Sequence, residues 1–142
     1  MTPEKPSTGI FEIYTDGASR KNPGPAAYAF IIVQDGTILF EDSEYIGEST
    51  NNTAEYRAVI AALMKASEKF QGQIRVFSDS ELVIRQITGK YRINQPHLKD
   101  LRNEVAKLEK HFPGIEFRNV PRENRFIQYC DSLCNKTLDE HR

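Results

Sequence analysis

Four acidic residues occupy positions where packing would favour apolar side chains. Glu55 heads one face of a predicted helix, and Asp131 lies on one face of another. Asp16 directly follows a predicted strand and Asp79 ends another, and open α/β sheets commonly bind ligands at such strand ends. The residues that share a helix face with Glu55 are Val59, Ala62 and Ala66, and those with Asp131 are Ile127, Cys134 and Leu138. We therefore expect Glu55 and Asp131 to be buried within apolar stripes.

Four carboxylates that converge in one crevice would need a compensating cation. Ionised acids repel one another and burial disfavours the charged form, so their pKa values would rise. Oxygen ligands without His or Cys suit a hard ion, Mg²⁺ or Mn²⁺, better than zinc. Taken singly, each acid has a structural alternative, because Asp79 could cap a helix and Glu55 or Asp131 could pair with an arginine. Their conjunction favours a metal-dependent site.

The elements that must position these acids follow from hydrophobic periodicity and from breaker residues. Strands are predicted over residues 10–15, 26–33, 37–46, 73–78 and 115–120. Helices are predicted over residues 53–66, 79–88, 96–111 and 127–140. Asp35-Gly36, between the second and third strands, is typical of a hairpin turn. This order predicts an α/β fold: a mixed five-stranded sheet whose first three strands are antiparallel, with helices packed on its faces.

Length and composition favour one ordinary globular domain. The chain has 142 residues, 39% hydrophobic and 27% charged, and no apolar run approaches the roughly 18 residues of a membrane span. Residues 1–9 lack periodicity and are predicted to be a flexible tail, so the domain is assigned to residues 10–142. The N-terminus lacks the apolar core of a signal peptide, so we expect a cytoplasmic protein. Cys130 and Cys134 are interpreted as small packing residues rather than a disulfide or a zinc site.

Charge is unevenly distributed although the net charge is only −1. Residues 1–56 hold nine acidic and three basic residues, whereas residues 85–125 hold ten basic and five acidic residues. Such asymmetry permits a nucleic-acid-binding face, and a solvated helix surface explains it equally well.

Five short motifs follow one another in an order that resembles the type 1 ribonuclease H family. They are Tyr14-Thr-Asp16-Gly-Ala-Ser19, Asn22-Pro-Gly-Pro25, Thr50-Asn-Asn-Thr-Ala-Glu55, Phe77-Ser-Asp79-Ser80 and Cys130-Asp131. The resemblance covers about residues 9–140 and implies that family's βββαβαβα scaffold, with helices on both faces of the sheet. Several spaced motifs are much more specific than any single one.

The resemblance implies an endoribonuclease that cleaves the RNA strand of RNA/DNA hybrids. Asp16, Glu55, Asp79 and Asp131 would be its metal-binding catalytic acids, with two Mg²⁺ ions, or Mn²⁺ as a substitute. Asp16 would bridge both ions, Asp131 would help hold the ion at the attacking water, and Glu55 and Asp79 would hold the ion at the leaving 3′ oxygen. The products would carry 5′-phosphate and 3′-hydroxyl ends.

The resemblance also implies substrate-binding positions. Asn22 and Thr50 match residues that hold a phosphate of the DNA strand, and Gly17 would offer its backbone close to the RNA. Asn51 and Asn52 match residues that read the minor groove. Two adjacent asparagines before a helix are also typical of capping, so both uses are open.

Three departures from the family pattern bear on substrate binding. Glu81 stands where many relatives have Gln, so it would contact a 2′-hydroxyl as an acceptor. Residues 89–94 are too few for the basic protrusion of some members, which predicts weaker duplex affinity. The loop before Asp131 lacks the product-release His of several members, which leaves Arg122 and Glu123 as candidates for that role, and Ile127 replaces a usual polar residue. The chain's three histidines, His97, His111 and His141, are assigned no role.

Two other function classes remain as alternatives. One is a hybrid-binding module without turnover, although clustered acids do not favour phosphate binding. The other is a receiver-like α/β switch, which would need a Lys at the end of a later strand. We expect a monomer, and the initiating Met and terminal helix favour a free-standing enzyme over a reverse-transcriptase domain.

Overall fold

The computed structural model describes residues 9–141, so the predicted tail lies outside the described residues except for Gly9. The strands are β1 (Ile10–Ser19), β2 (Gly24–Gln34), β3 (Thr37–Ser49), β4 (Gln73–Ser78) and β5 (Ile115–Asn119). The helices are α1 (Asn51–Lys69), α2 (Glu81–Ile87), α3 (Pro96–Glu109) and α4 (Arg125–Glu140). Within this range, no helix is both long and apolar enough to cross a membrane.

The strands form one mixed sheet in the order β3-β2-β1-β4-β5. β1, β2 and β3 pair antiparallel, and β4 and β5 run parallel to β1. The predicted fold class is therefore confirmed. A receiver-like switch is excluded, because doubly wound folds of that kind have an all-parallel central sheet.

The sheet is covered on both faces, as predicted. Alternate residues of β1 and β2 point to opposite sides: Ile13 and Phe30 pack with α1 on one face, whereas Tyr14 and Ile31 pack with α4 on the other. α3 and its Val105 join the α1 side. Cys130 and Cys134 are buried in the smaller α4 core, which confirms their interpretation as packing residues.

The register of the central strands sets the position of the acids. Tyr14 of β1 pairs with Phe77 of β4 in parallel register, so Asp16 and Asp79 both lie two residues beyond this pair. The prediction that β1 ends before Asp16 is wrong: the strand continues to Ser19, because Asp16 and its neighbours still pair with β2. Asp16 is therefore held inside a strand.

Two helix starts also differ from the prediction. α1 begins at Asn51, and its N-cap is Thr50, whose Oγ1 accepts a hydrogen bond from Thr53 N at 3.2 Å. Capping by Asn51 or Asn52 is therefore wrong. α2 is capped by Ser80 and not by Asp79, whose carboxylate is left for the site. The other boundaries agree with the prediction or move by one to three residues.

Candidate active site

A cleft of about 600 Å³ opens where the carboxyl ends of β1 and β4 meet the first turns of α1 and α4. All four predicted acids line it. One oxygen from each of Asp16, Glu55 and Asp79 lies within 4.8 Å of the other two. The predicted convergence is confirmed for these three residues. Asp131 faces them across the cleft from α4.

The carboxylates of Asp16 and Glu55 are buried with little compensation. Asp16 is 6% exposed and Glu55 is 9% exposed. Within the described part of the chain, Glu55 Oε1 has no hydrogen-bond partner. An orphaned carboxylate oxygen beside two further acids is the arrangement that a bound cation would complete.

The electrostatics of the cleft also favour a bound cation. Burial, and then the charges of Asp79 and Asp131, raise the pKa of Asp16 to about 8, against the smaller opposing effect of Arg122. Burial and the neighbouring Asp16 and Asp79 raise the pKa of Glu55 well above its usual range. Without a metal ion, the folded chain therefore retains protons in this cleft that exposed carboxyl groups would release.

This proton retention predicts a pH-dependent stability. Between the usual carboxyl range and pH 8, folded Asp16 binds a proton that the unfolded chain has lost, so stability falls as pH rises. We expect the Tm of the metal-free protein to be lower at pH 8.5 than at pH 6, by on the order of 5 °C. Mg²⁺ should restore most of the loss at pH 8.5. Thermal unfolding of the wild type and of Asp16→Asn checks this, and the same pH slope in both proteins would contradict it.

Asp131 is exposed, so the prediction that it lies within a buried stripe is wrong. The other members of that stripe, Ile127, Cys134 and Leu138, are buried as predicted. Cys130 takes the buried position between Ile127 and Cys134, because the 3- and 4-residue spacing brings it onto their face. Asp131, one residue further round the helix, points to the cleft. Asn135 Nδ2 donates a hydrogen bond to Asp131 Oδ2 at 3.3 Å.

The donor set suits a hard cation. The cleft offers carboxylate oxygens from four residues and no His side chain. Cys130 is adjacent to Asp131 in sequence, but burial raises the pKa of its thiol, and its Sγ donates to Tyr14 O at 3.4 Å. The residues present therefore fit Mg²⁺ or Mn²⁺ and do not fit zinc.

The first turn of α1 is tied to the β1–β2 connection by asparagine side chains. Ser19 N donates to Asn51 Oδ1 at 2.7 Å, and Asn51 N donates to Asn22 Oδ1 at 2.9 Å. Asn51 and Asn52 line the cleft, whereas Asn22 and Thr50 lie outside its lining. Asn51 thus has a structural role that its sequence position did not reveal.

Gly17 has a packing role in addition to its predicted one. A Cβ atom on Gly17 would lie 2.3 Å from Ala54 C and 2.4 Å from Glu55 N. The absence of a side chain therefore lets α1 approach β1, which brings Glu55 next to Asp16. Gly17 also lines the cleft, and its contact with RNA stays a prediction.

The remaining predicted residues are divided between the cleft and its surroundings. Arg122 lines the cleft, and its Nε lies 3.6 Å from Asp79 Oδ2, although its side chain is 86% exposed. Glu123 is exposed and is absent from the cleft lining. Glu81 is also outside the lining, and its Oε2 is held by Arg85 Nε at 2.9 Å and by Tyr91 Oη at 3.2 Å. This ion pair offsets the negative charge of Glu81.

Two polar residues of the cleft were missed from the sequence. Gln128 lines the cleft three residues before Asp131, and Ser80 lines it next to Asp79. Ile127, which stands where a polar residue was expected, is 1% exposed and belongs to the α4 core. Helical spacing could have identified Gln128, because residues i and i+3 share a face.

Residues 14–137 match the family model described as reverse transcriptase-like. The ribonuclease HI of Halobacterium salinarum is 41% identical over 93% of this chain and 66% of its own length. A ribonuclease H of Caldanaerobacter subterraneus is 39% identical over 96% of both chains. A bifunctional protein of Mycobacterium tuberculosis is 37% identical over 89% of this chain. The chain spans about two thirds of the halobacterial protein and about one third of the mycobacterial one.

Solved structures agree with these relatives. The crystal structure of ribonuclease H1 from Halobacterium salinarum superposes with a TM-score of 0.89 at 41% identity, covering 93% of this chain and 99% of that one. LC11-RNase H1, solved in complex with an RNA/DNA hybrid, superposes with a TM-score of 0.84 at 38% identity, covering 92% and 98%.

Proposed function

Because the chain belongs to the type 1 ribonuclease H family, we propose that it is a metal-dependent endoribonuclease that hydrolyses the RNA strand of RNA/DNA hybrids. The observation that carries this proposal is the group of three acids whose oxygens lie within 4.8 Å of one another, with a fourth acid across the same cleft. A module that only binds duplexes gains nothing from four carboxylates at a phosphate. The hybrid complex of LC11-RNase H1 supports the choice of substrate.

Asp16, Glu55, Asp79 and Asp131 would hold two Mg²⁺ ions. When bound, these ions would activate the attacking water and stabilise the charge on the leaving 3′ oxygen, giving 5′-phosphate and 3′-hydroxyl ends. The chain's own contribution is to fix the ligands. β1 holds Asp16 through its ladder with β2, and Cys134 Sγ donates to Asp16 O at 3.6 Å. Glu55 follows directly after the capped first turn of α1, which fixes its position.

Groups on the cleft wall can orient the scissile phosphate and its neighbours. Arg122 is a positively charged residue of the cleft lining, and its ion pair with Asp79 offsets part of the negative charge of the four acids. We assign it a role in releasing the product phosphate, because its guanidinium can bind that anion as the phosphate leaves the cleft. Gly17, Asn51 and Asn52 line the cleft. We propose that they contact the minor groove, where an RNA-containing duplex presents its 2′-hydroxyls.

Cleavage of an end-labelled RNA/DNA hybrid, with and without Mg²⁺, tests the proposal. We expect cleavage of the RNA strand with Mg²⁺ and none in EDTA. Ca²⁺ should support binding but little hydrolysis, because its coordination is longer and less regular. Equal cleavage in Ca²⁺ and Mg²⁺, or cleavage in EDTA, would contradict a two-metal mechanism.

Asn52→Ala is expected to lower kcat/KM for the hybrid by the equivalent of roughly 1–3 kcal/mol, because a buried substrate hydroxyl would lose its hydrogen-bond partner. The measurement compares a full hybrid with one carrying 2′-deoxy sugars on both sides of the cut. The effect should shrink on the deoxy substrate.

Thr50→Ala serves as the contrasting variant. It should lower the affinity for the hybrid by weakening the contact with a phosphate of the DNA strand, and it should leave discrimination by the 2′-hydroxyl intact. Because Thr50 also caps α1, its loss should cost about 1 kcal/mol of stability, which thermal unfolding measures separately. If Asn52→Ala lowers kcat/KM equally for both substrates, Asn52 does not read the 2′-hydroxyl.

A further inference from the structure

A line of polar contacts runs along one face of α4 and ends at Asp131. Asn135 Nδ2 donates a hydrogen bond to Asp131 Oδ2 at 3.3 Å. Arg20 Nη2 donates to Asn135 Oδ1 at 3.4 Å and to the Asn135 carbonyl oxygen at 3.4 Å, and it lies 2.8 Å from Asp139 Oδ1. Asp131, Asn135 and Asp139 recur every four residues, so they share one side of the helix.

The amide group of Asn135 is held in one orientation by its two neighbours. A guanidinium can only donate hydrogen bonds, and an ionised carboxylate can only accept them. The Asn135 oxygen must therefore face Arg20, and its NH₂ group must face Asp131. A flipped amide would set the oxygen against the carboxylate and the NH₂ group against the guanidinium.

These contacts add little to the stability of α4. The side chains of Arg20 and Asp139 are 37% and 55% exposed, and exposed ion pairs contribute little to folding. The helix is held to the sheet instead by its buried residues, Ile127, Cys130, Cys134 and Leu138. The effect left for Asn135 is therefore on the direction of the Asp131 side chain.

Asp131 needs such a contact more than the other acids do. It is exposed on α4 and lies outside the group of three acids whose oxygens converge, so packing does not fix its carboxylate. A hydrogen bond to Oδ2 orients the group and leaves Oδ1 for a cation, as is common for carboxylates that bind metals.

Arg20 connects this helix to the strand that carries another acid. It directly follows Ser19, the last residue of β1, and β1 holds Asp16. The contacts of Arg20 with Asn135 and Asp139 therefore join the connection after β1 to the half of α4 that follows Asp131.

We propose that Asn135 is a positioning residue for Asp131 and that Arg20, paired with Asp139, holds Asn135 in place. This inference rests on the proposed function for the metal-binding role of Asp131. Asn135 touches neither the ion nor the substrate. It acts by directing the Asp131 carboxylate into the cleft.

The first test compares Asn135→Ala with Asn103→Ala, which makes the same change at an exposed position of α3. Titration calorimetry measures Mn²⁺ binding in the absence of hybrid, and thermal unfolding measures stability. We expect Asn135→Ala to bind Mn²⁺ on the order of tenfold more weakly, with little change in Tm. Asn135→Gln keeps the amide and should recover part of the affinity, and Asn103→Ala should match the wild type.

Cleavage kinetics separate positioning from substrate binding. At limiting Mg²⁺, Asn135→Ala should lower kcat by about tenfold and keep the KM for the hybrid within about twofold. Raising the Mg²⁺ concentration should recover part of kcat. A change in KM alone would contradict the proposal, because it would show a contact with the substrate.

A double-mutant cycle tests the part played by Arg20. Arg20→Ala should weaken Mn²⁺ binding less than Asn135→Ala does. The double variant should bind Mn²⁺ as Asn135→Ala does, because Arg20 acts through the same contact. Losses that multiply in the double variant would show that Arg20 does not act through Asn135.

The outcomes distinguish this inference from the proposed function. Wild-type Mn²⁺ affinity and kcat in Asn135→Ala would overturn the inference, as would equal losses in Asn103→Ala. Calorimetry needs no cleavage, so it remains informative even if the wild type does not cut the hybrid. Weaker Mn²⁺ binding by Asn135→Ala beside an inactive wild type would contradict the proposed function and support the positioning of Asp131.

Discussion

Asp16→Asn should reduce RNA cleavage to the level of the metal-free reaction while leaving the fold intact. Asp16 lies near the other acids of the site: one of its oxygens lies within 4.8 Å of oxygens of Glu55 and Asp79, and the charge of Asp131 raises its pKa. An amide oxygen in its place is uncharged and is a weaker ligand for the proposed metal ions. Single-turnover cleavage of a labelled hybrid in Mg²⁺ measures the loss.

The same substitution should not destabilise the metal-free protein. It removes one charge from a cleft in which like charges repel, so we expect an equal or higher Tm at pH 8.5 and unchanged hybrid binding in Ca²⁺. Asp35→Asn is the matched control, because Asp35 is an exposed turn residue between β2 and β3. Wild-type turnover by Asp16→Asn would contradict the assignment of the site. Equal losses in both variants would show that the effect is not specific to the cleft.

The sequence was sufficient for the arrangement of the central acids because their positions depend on local rules. Strand periodicity located β1 and β4, and parallel strands bring their carboxyl ends to one edge, which places Asp16 beside Asp79. The helical stripe behind Glu55 is buried as predicted, because Val59, Ala62 and Ala66 recur at helical spacing. The stripe behind Glu55 needed no knowledge of contacts between distant residues, whereas the pairing of β1 with β4 joins residues 63 positions apart.

Other features depend on competition between neighbours and could not be read from periodicity. Cys130 and Asp131 are neighbours in sequence, and either could occupy the apolar stripe of α4. Cys130 packs against the sheet because it is the less polar of the two. The cap of α1 was assigned to the wrong residue because Thr50, Asn51 and Asn52 are all good caps. Asn51 Oδ1 instead accepts a hydrogen bond from Ser19 N, 32 positions away in the sequence, and Thr50 caps α1.

Gly17 is the position where fold and function are most tightly coupled. A Cβ atom added there would lie 2.3 Å from one backbone atom of α1 and 2.4 Å from another, and backbone atoms cannot move aside as a flexible side chain can. α1 would have to shift away from β1 by several tenths of an ångström or more. Glu55 itself contributes one of those two backbone atoms, so the shift would directly displace this proposed metal ligand.

Gly17→Ala is therefore expected to destabilise the protein by about 2–3 kcal/mol and to lower kcat/KM by at least about 100-fold. Thermal unfolding and hybrid cleavage measure the two effects, and Mg²⁺ should stabilise the variant less than the wild type. Gly114→Ala is the matched control, because a Cβ there would lie 3.4 Å from the flexible side chain of Gln73, an ordinary contact. If Gly17→Ala keeps wild-type stability and metal response, close approach of α1 to β1 does not set the position of Glu55.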